Sequence, residues 1–348
     1  MPRRLRHART IRALLLSATV LGSVAGCSSA DVVGSPAAPQ NLIVYSGRSE
    51  ELVGPLFEIF TDQTGIPIQV RYGDSAELAA QMLEEGDRTV AQVYFSQDAG
   101  ALGAVAQAGL LADLPSDVVQ IVPSSYRSTD GTWTGVTGRA RVIAYDAEQV
   151  PADEVPTSVF DLVDPTWRGQ VAIAPTNASF QAFVTAMRLA HGDERTQEWL
   201  TGLVANDAQI YEKNGLILDA VDAGQVKLGL INHYYWFEKA KEVGVDSMRA
   251  QVAFTEDGDP GSLVNVAGVG ITTAGAQNPA AARFVSWLLT PEVQQWFVDN
   301  TSEYPLVPGV EAPSGLKSLG KLKGPDVALA QLADLPGTLE MLTRVGLL

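Results

Sequence analysis

The sequence predicts an α/β protein of two lobes, each a mixed, mainly parallel sheet flanked by helices, with a ligand cleft between the lobes. Three observations predict it. Short apolar strands and amphipathic helices alternate along the chain, a pattern that gives mainly parallel sheets covered by helices. The 308 residues from Asn41 onward are more than one small core organises. Strand ends run repeatedly into loops rich in Ser, Asn, Gly and Tyr, and in open sheets ligands gather at such ends.

The elements follow in order. Residues 1–26 read as a secretion signal and stay outside the fold. Arg3, Arg4, Arg6, Arg9 and Arg12 precede "ALLLSATVLGSVAG" (13–26), which is too short and too rich in Gly and Ser to span a membrane. That run ends at "VAGC", so Cys27 is expected to carry a lipid, with 27–40 as a flexible tether outside the cell membrane. The pattern then reads strand 41–46, helix 50–65, strand 66–73, helix 76–86, strand 91–96 and helix 98–111. A second set follows, with strands at 141–146, 170–176, 208–214 and 227–232. Its helices fall at 179–192, 197–206 and 215–224. Residues 263–275 read as a strand, 278–300 as a helix pair broken at Pro291, and 303–313 as an extended Pro-rich loop. The lobes are expected at 41–140 plus 265–315 and at 141–264 plus 316–348.

Composition excludes several functions. The signal holds five of the 24 basic residues and none of the 40 acidic ones, which leaves 19 against 40 and a net charge of −21. Nucleic acid and anionic membrane surfaces are poor partners for that field, so membrane contact is expected through the lipid anchor alone. Cys27 is the sole cysteine, so there is no intrachain disulfide. Beyond the signal only His191 and His233 remain, and no HExxH, GxSxG or P-loop occurs. An enzyme is therefore not expected. A metal-dependent hydrolase and a structural or adhesive role are the rivals from other classes.

The segment "INHYYW" (231–236) places Tyr234 and Tyr235 side by side where a strand runs out. Alone, the pair reads as ordinary aromatic packing with a wet hydroxyl. With the other loops placed, the chain resembles the bacterial ferric-ion-binding proteins, the substrate-binding components of iron ABC importers. The likeness runs from "NLIVYSGRSEELVGPLFEIFTDQTGIPIQV" (41–70) through "EEGDRTVAQVYFSQDAGALGAVAQAGLL" (84–111), "TGRARVIAYD" (137–146), "APTNASF" (174–180), "YEKNG" (211–215) and "INHYYW" to "EYPL" (303–306).

The resemblance implies a type II periplasmic-binding-protein fold and Fe(III) held by Tyr234 and Tyr235. Tyrosine suits that ion: Fe(III) is hard, and an adjacent trivalent cation ionises a phenol whose ordinary pKa is near 10. Strand alternation does not separate the pair if the backbone leaves β geometry after Asn232. The resemblance also implies a synergistic anion, phosphate or carbonate, on Asn177, Ala178, Ser179, Asn214 and Asn232, with Arg139 close by. Free N–H groups at a helix start suit an anion, and plain turn and cap chemistry is the alternative reading.

The chain departs from the family in its first lobe, where the cleft is built from Ser46, Gly47, Arg48, Ser49 and Gln97. Phosphate-using members have His and Glu at the positions of Ser49 and Gln97, and another branch has a third tyrosine at the position of Phe180. Tyr72 is the candidate to compensate, with Glu77 and Asp98 behind it. The implied protein is a monomer that hands iron to a permease and its ATPase. A small organic or oxyanion solute, such as a phosphonate, thiamine or a polyamine, is the alternative ligand.

Overall fold

The computed structural model describes residues 41–348. The expected signal and tether, with Cys27, lie outside the described residues. The first lobe opens as β1 (Leu42–Ser46), α1 (Glu50–Thr64), β2 (Ile68–Tyr72), α2 (Ser75–Glu85), β3 (Val93–Ser96) and α3 (Ala99–Gln107). Periodicity drives each element. Helix α1 buries Val53, Leu56, Phe57 and Phe60 along one face and stops at Gly65, whose φ of 69° suits glycine. After the short α4 (Ser116–Val119) comes β4 (Trp133–Asp146). The second lobe follows as β5 (Val171–Ile173), α5 (Ala178–His191), α6 (Asp193–Ala205), β6 (Gln209–Ile210), α7 (Asn214–Asp222), β7 (Leu228–Asn232), α8 (His233–Val243) and β8 (Ala250–Ala253). The chain returns through β9 (Val264–Ile271), α9 (Pro279–Leu288), α10 (Pro291–Thr301) and β10 (Tyr304–Pro305), and ends with α11 (Leu335–Arg344).

One sheet runs through both lobes in the order β2-β1-β3-β9-β4-β7-β5-β6. Strands β1, β2 and β3 pair in parallel, as do β5, β6 and β7. The join is β4. Its residues 133–140 pair antiparallel with β9 and its residues 141–146 with β7 and β8. The sequence reading began this strand only at 141, because "TWTGVTGRA" is poor in branched apolar residues. Packing makes it strand: a Cβ on Gly135 would lie 2.6 Å from Leu306 Cδ1 and 2.7 Å from the Tyr126 carbonyl, so only glycine lets β10 and its neighbours approach. Conversely, 208–214 is strand only at Gln209–Ile210 and 303–313 contains the two-residue β10.

Each lobe has an aromatic core. Phe57, Phe60, Phe284 and Trp287 meet with centroids 5.1–6.2 Å apart in the first, and Phe180, Phe183 and Trp199 at 5.6–5.8 Å in the second. Residues 316–348 were expected in the second lobe alone. Instead residues 329–333 lie against α3 of the first lobe, where Leu332 and Ala333 crowd Gly100 and Gly103. Helix α11 packs on α5 of the second, with Thr338 Oγ1 2.7 Å from Thr185 Oγ1. The C-terminal segment therefore straps both lobes.

Candidate functional site

The turn after β1, the middle of β4 and the end of β7 come together here. The chain leaves β geometry at Asn232, and α8 starts at His233, so Tyr234 and Tyr235 occupy its first turn. Their rings stack with centroids 4.2 Å apart and planes 27° apart. Consecutive strand residues would point to opposite faces, so the helix start is what unites them. Tyr234 is buried and Tyr235 half-buried. Burial pushes the Tyr234 phenol well above its ordinary pKa, Tyr235 adds to the rise, and Arg139 and Arg48 oppose it.

His233 fixes this helix start. Its Nδ1 accepts from the Ala140 N–H at 3.1 Å, which leaves Nε2–H to donate to the Ser302 carbonyl at 2.9 Å. Burial drives its pKa down to about 4, so the ring is neutral and both nitrogens are engaged in packing the lobes together. Ser302 adopts φ 54°, a strained value for a residue with a Cβ. The turn it makes aims Glu303 into the site.

Glu303 is fully buried. Its Oε2 accepts from Thr137 Oγ1 at 2.7 Å, and its Oε1 lies 2.9 Å from Arg48 Nη2 and 3.9 Å from Arg139 Nε. The Arg48 contact is an ion pair that lies off the direction of a good hydrogen bond. Thr137, Arg139 and Arg141 alternate along one face of β4. Arg141, not Arg139, reaches the Asn/Ser cluster: its Nη1 donates at 3.4 Å to Ser179 Oγ and to Asn232 Oδ1. Arg139 instead stands beside Glu303 and faces Tyr234. The expectation put Arg139 near the anion; in the structure the hydrogen bonds to the Asn/Ser cluster come from Arg141. Arg48, Arg139 and Arg141 are each at most 2% exposed. Arg48 Nε and Nη1, Arg139 Nη1 and Nη2, and Arg141 Nε and Nη2 have no hydrogen-bond partner among the described residues.

Asn177, Ser179 and Asn214 lie within hydrogen-bond reach of one another. Asn177 caps α5, its Oδ1 accepting from Ser179 N at 3.1 Å and Ser179 Oγ at 2.6 Å. Asn214, fully buried at the start of α7, donates to Asn177 Oδ1 at 3.3 Å and Ser179 Oγ at 3.2 Å, while its own Oδ1 is unpartnered. Ala178 is buried in the first turn of α5. Phe180, also in that turn, is fully buried, and Arg141 lies over the rings of Phe180 and Phe183 at 5.7 and 5.1 Å.

The first lobe presents no coordinating side chain at its two expected positions. Ser46 folds back on itself: its Oγ donates to the Arg48 carbonyl at 3.0 Å and accepts from the Arg48 N–H at 3.2 Å. Gly47 N–H donates to the Phe95 carbonyl, and Gly47 must be glycine because a Cβ would stand 1.9 Å from Ser75 Oγ. Ser49 is exposed at the start of α1. Gln97 is half-buried, and its N–H donates to Ser75 Oγ at 2.9 Å. Tyr72 lines a groove with Glu50, Gly54, Phe57 and Glu58, and burial together with Glu50, Glu51 and Glu58 lifts its pKa to about 12. Glu77 is exposed; Asp98 is buried and caps α3 through Ala101 N. Among the described residues no three His, Cys, Asp or Glu side chains gather in metal-binding range. A cleft of about 530 Å³ opens between the start of α1 and the later turns of α8, lined by Ser49, Glu51, Leu52, Glu238, Lys241, Glu242 and Asn300.

Sequence reasoning missed Arg141 and Glu303. The i, i+2 spacing of Arg139 and Arg141 on a strand was a readable sign that both face one way. Nothing in the sequence tied Glu303 to Thr137, 166 residues away.

Comparison with known proteins adds the remaining findings. A family model described as "Bacterial extracellular solute-binding protein" matches residues 89–323. The "Fe(3+)-binding periplasmic protein" of Serratia marcescens is 32% identical over 97% of this chain and 97% of its own. The iron-bound HitA structure from Pseudomonas aeruginosa has a TM-score of 0.84 and 33% identity, covering 88% of this chain and all of that one. A Trichodesmium IdiA (FutA) structure in complex with iron and citrate ligands has a TM-score of 0.76 and 26% identity, covering 89% of this chain and all of that one.

Proposed function

The chain belongs to the bacterial extracellular solute-binding protein family, and on that premise we propose that it captures ferric iron outside the cytoplasmic membrane and hands it to the permease and ATPase of an ABC importer. The observation that carries this reading is the stacked Tyr234–Tyr235 pair at the start of α8, turned toward buried guanidinium groups. The relatives' names support the same cargo: an Fe(3+)-binding periplasmic protein and an iron-bound HitA.

Burial keeps the Tyr234 phenol protonated while the site is empty. A ferric ion displaces that proton and the one on Tyr235, so uptake releases acid and binding weakens as pH falls. Phosphate or carbonate completes the shell from Asn177, Ala178, Ser179, Asn214 and Asn232, with Arg141 as the nearby cation. Closure of the lobes about β4 seals the ion, and reopening at the permease releases it. No bond to the cargo is made or broken in the covalent sense, so no catalytic residue is assigned. Cys27 carries the lipid, and the protein works as a monomer.

A second reading has one observation in its favour. Buried guanidiniums facing a first lobe without metal ligands also suit an organic or oxyanion solute. Titration with a ferric source and phosphate separates the two. Iron binding gives a visible phenolate-to-iron band that saturates at one equivalent and is lost in Tyr234→Phe/Tyr235→Phe. No band with any ferric source leaves the organic-solute reading.

A further inference from the structure

Glu303 is a fully buried carboxylate set between β4 and Arg48 of the first lobe, and the iron reading gives it no task. We infer that Glu303 is a positioning residue for the iron site: seated on the pivot between the lobes by the left-handed turn at Ser302, it holds Arg48 against the phenols and so sets how slowly bound iron leaves. The inference rests on the iron reading above and goes beyond it in assigning what keeps the lobes shut.

The strand register locates the pivot. Strand β4 pairs with β9 up to Ala140 and with β7 from Arg141 onward. Neighbouring elements bond to that junction. His233 Nδ1 accepts from the Ala140 N–H at 3.1 Å, the Leu263 carbonyl accepts from the Arg141 N–H at 3.0 Å, and β10 pairs Tyr304 with Gly138. Ser302 completes the junction, its carbonyl accepting from His233 Nε2–H at 2.9 Å. Glu303 follows Ser302 directly, so its backbone belongs to the pivot and not to either lobe.

Arg48 belongs to the first lobe. Its backbone is locked in the β1–α1 turn by Ser46 Oγ, which donates to its carbonyl at 3.0 Å and accepts from its N–H at 3.2 Å. Its Nη2 lies 2.9 Å from Glu303 Oε1, and its charge acts on both Tyr234 and Tyr235. Thr137 Oγ1 donates to Glu303 Oε2 at 2.7 Å, so the carboxylate is held from behind by β4. Rotation of the first lobe about β4 therefore breaks the Arg48–Glu303 contact and withdraws the guanidinium from the phenols in one movement. Separating such a buried pair leaves both charges uncompensated, which resists opening.

Ser302 supplies an independent argument. It is fully buried at φ 54°, and its Oγ has no hydrogen-bond partner among the described residues. Glycine would take this turn without strain, and the serine hydroxyl makes no bond that offsets it. Strain of this kind persists where the surroundings over-determine a functional geometry. Here the turn aims the next side chain, Glu303, at Arg48.

Iron release tests this, read as decay of the visible phenolate-to-iron band after excess ethylenediaminetetraacetate is added to the iron-loaded protein. Glu303→Gln keeps a partner for Thr137, loses the charge, and releases iron about tenfold faster than the wild type. In an Arg48→Met background the same change has no further effect, because the two residues act as one unit. Ser302→Gly melts no lower than the wild type yet releases iron faster, a split that a merely structural turn would not give. Should either charge variant fail to fold, Ser302→Gly decides alone. Release at the wild-type rate from Glu303→Gln or from Ser302→Gly, or an equal effect of Glu303→Gln in both backgrounds, overturns the inference and leaves the iron reading standing. Absence of the band in the wild type with every ferric source overturns both.

Discussion

Replacing Arg141 with methionine makes the ligand-free protein more stable, whereas the same change at Arg48 makes it less stable. Burial and the neighbouring Arg139 pull the Arg141 pKa from 12.5 to about 9. At about 1.36 kcal/mol per pH unit, the folded protein carries of order 4–5 kcal/mol against that charge, in full at any pH below 9. Its compensations are two hydrogen bonds at the long distance of 3.4 Å and its place over Phe180 and Phe183. Together these contribute about 2–3 kcal/mol. Methionine fills much of the volume without the charge, so Arg141→Met gains about 1–3 kcal/mol and loses anion affinity. Arg48 is the opposite case. Burial lowers its pKa, but Glu303, 2.9 Å away, together with Tyr234 and Tyr235 raises it on balance. Arg48→Met strands a fully buried carboxylate, at a loss of about 3–5 kcal/mol. Urea unfolding at pH 7 reads both differences from the midpoint at unchanged slope. If Arg141→Met destabilises by more than about 2 kcal/mol, the claim that the site stores unfavourable positive charge for an anion is wrong.

Three further outcomes are expected, two from contacts in the fold and one from the sequence. His233 has a pKa of about 4 in the fold against about 6.5 unfolded. Its stabilising contribution is thus full above pH 6.5 and falls as pH drops toward 4, by roughly 3 kcal/mol. Urea titrations at several pH values show that slope, and His233→Gln flattens it. Gly47→Ala forces a methyl into Ser75 Oγ, 1.9 Å away, and loses about 1–3 kcal/mol in a thermal melt; an unchanged melting temperature means the β1–α1 turn is not as tight as drawn. Cys27→Ala releases the protein from the membrane fraction into the medium or periplasm, and continued membrane retention removes the lipid-anchor proposal.

The alternation of strand and helix over residues 42–107 was legible because each element follows its own period: Val53, Leu56, Phe57 and Phe60 mark α1, and Asp74 caps α2. Strand β4 was half hidden, since its residues 133–140 owe their conformation to β9 and β10, not to local propensity. Helix α8 was read only as a break after Asn232, because "HYYWFEKAKEV" begins with aromatics whose helical face shows only once Tyr234 and Trp236 are seen to be buried. In the site, the tyrosine pair and Asn177, Ser179 and Asn214 were singled out through the family resemblance, which matches short runs of adjacent residues; taken alone they read as aromatic packing and cap chemistry. The partners of Arg48 and Arg139 were not legible. Glu303 reaches them from the far end of the chain through a left-handed turn at Ser302, and such a contact leaves no local pattern.

The central claim is that Tyr234 and Tyr235 bind Fe(III) as phenolates. Resonance Raman spectroscopy of the iron-loaded protein, excited within its visible band, tests it most directly. The account predicts enhanced tyrosinate ring vibrations that weaken in Tyr234→Phe and in Tyr235→Phe and vanish in the double variant. Iron-loaded protein without tyrosinate modes, or with modes that survive the double variant, would contradict it.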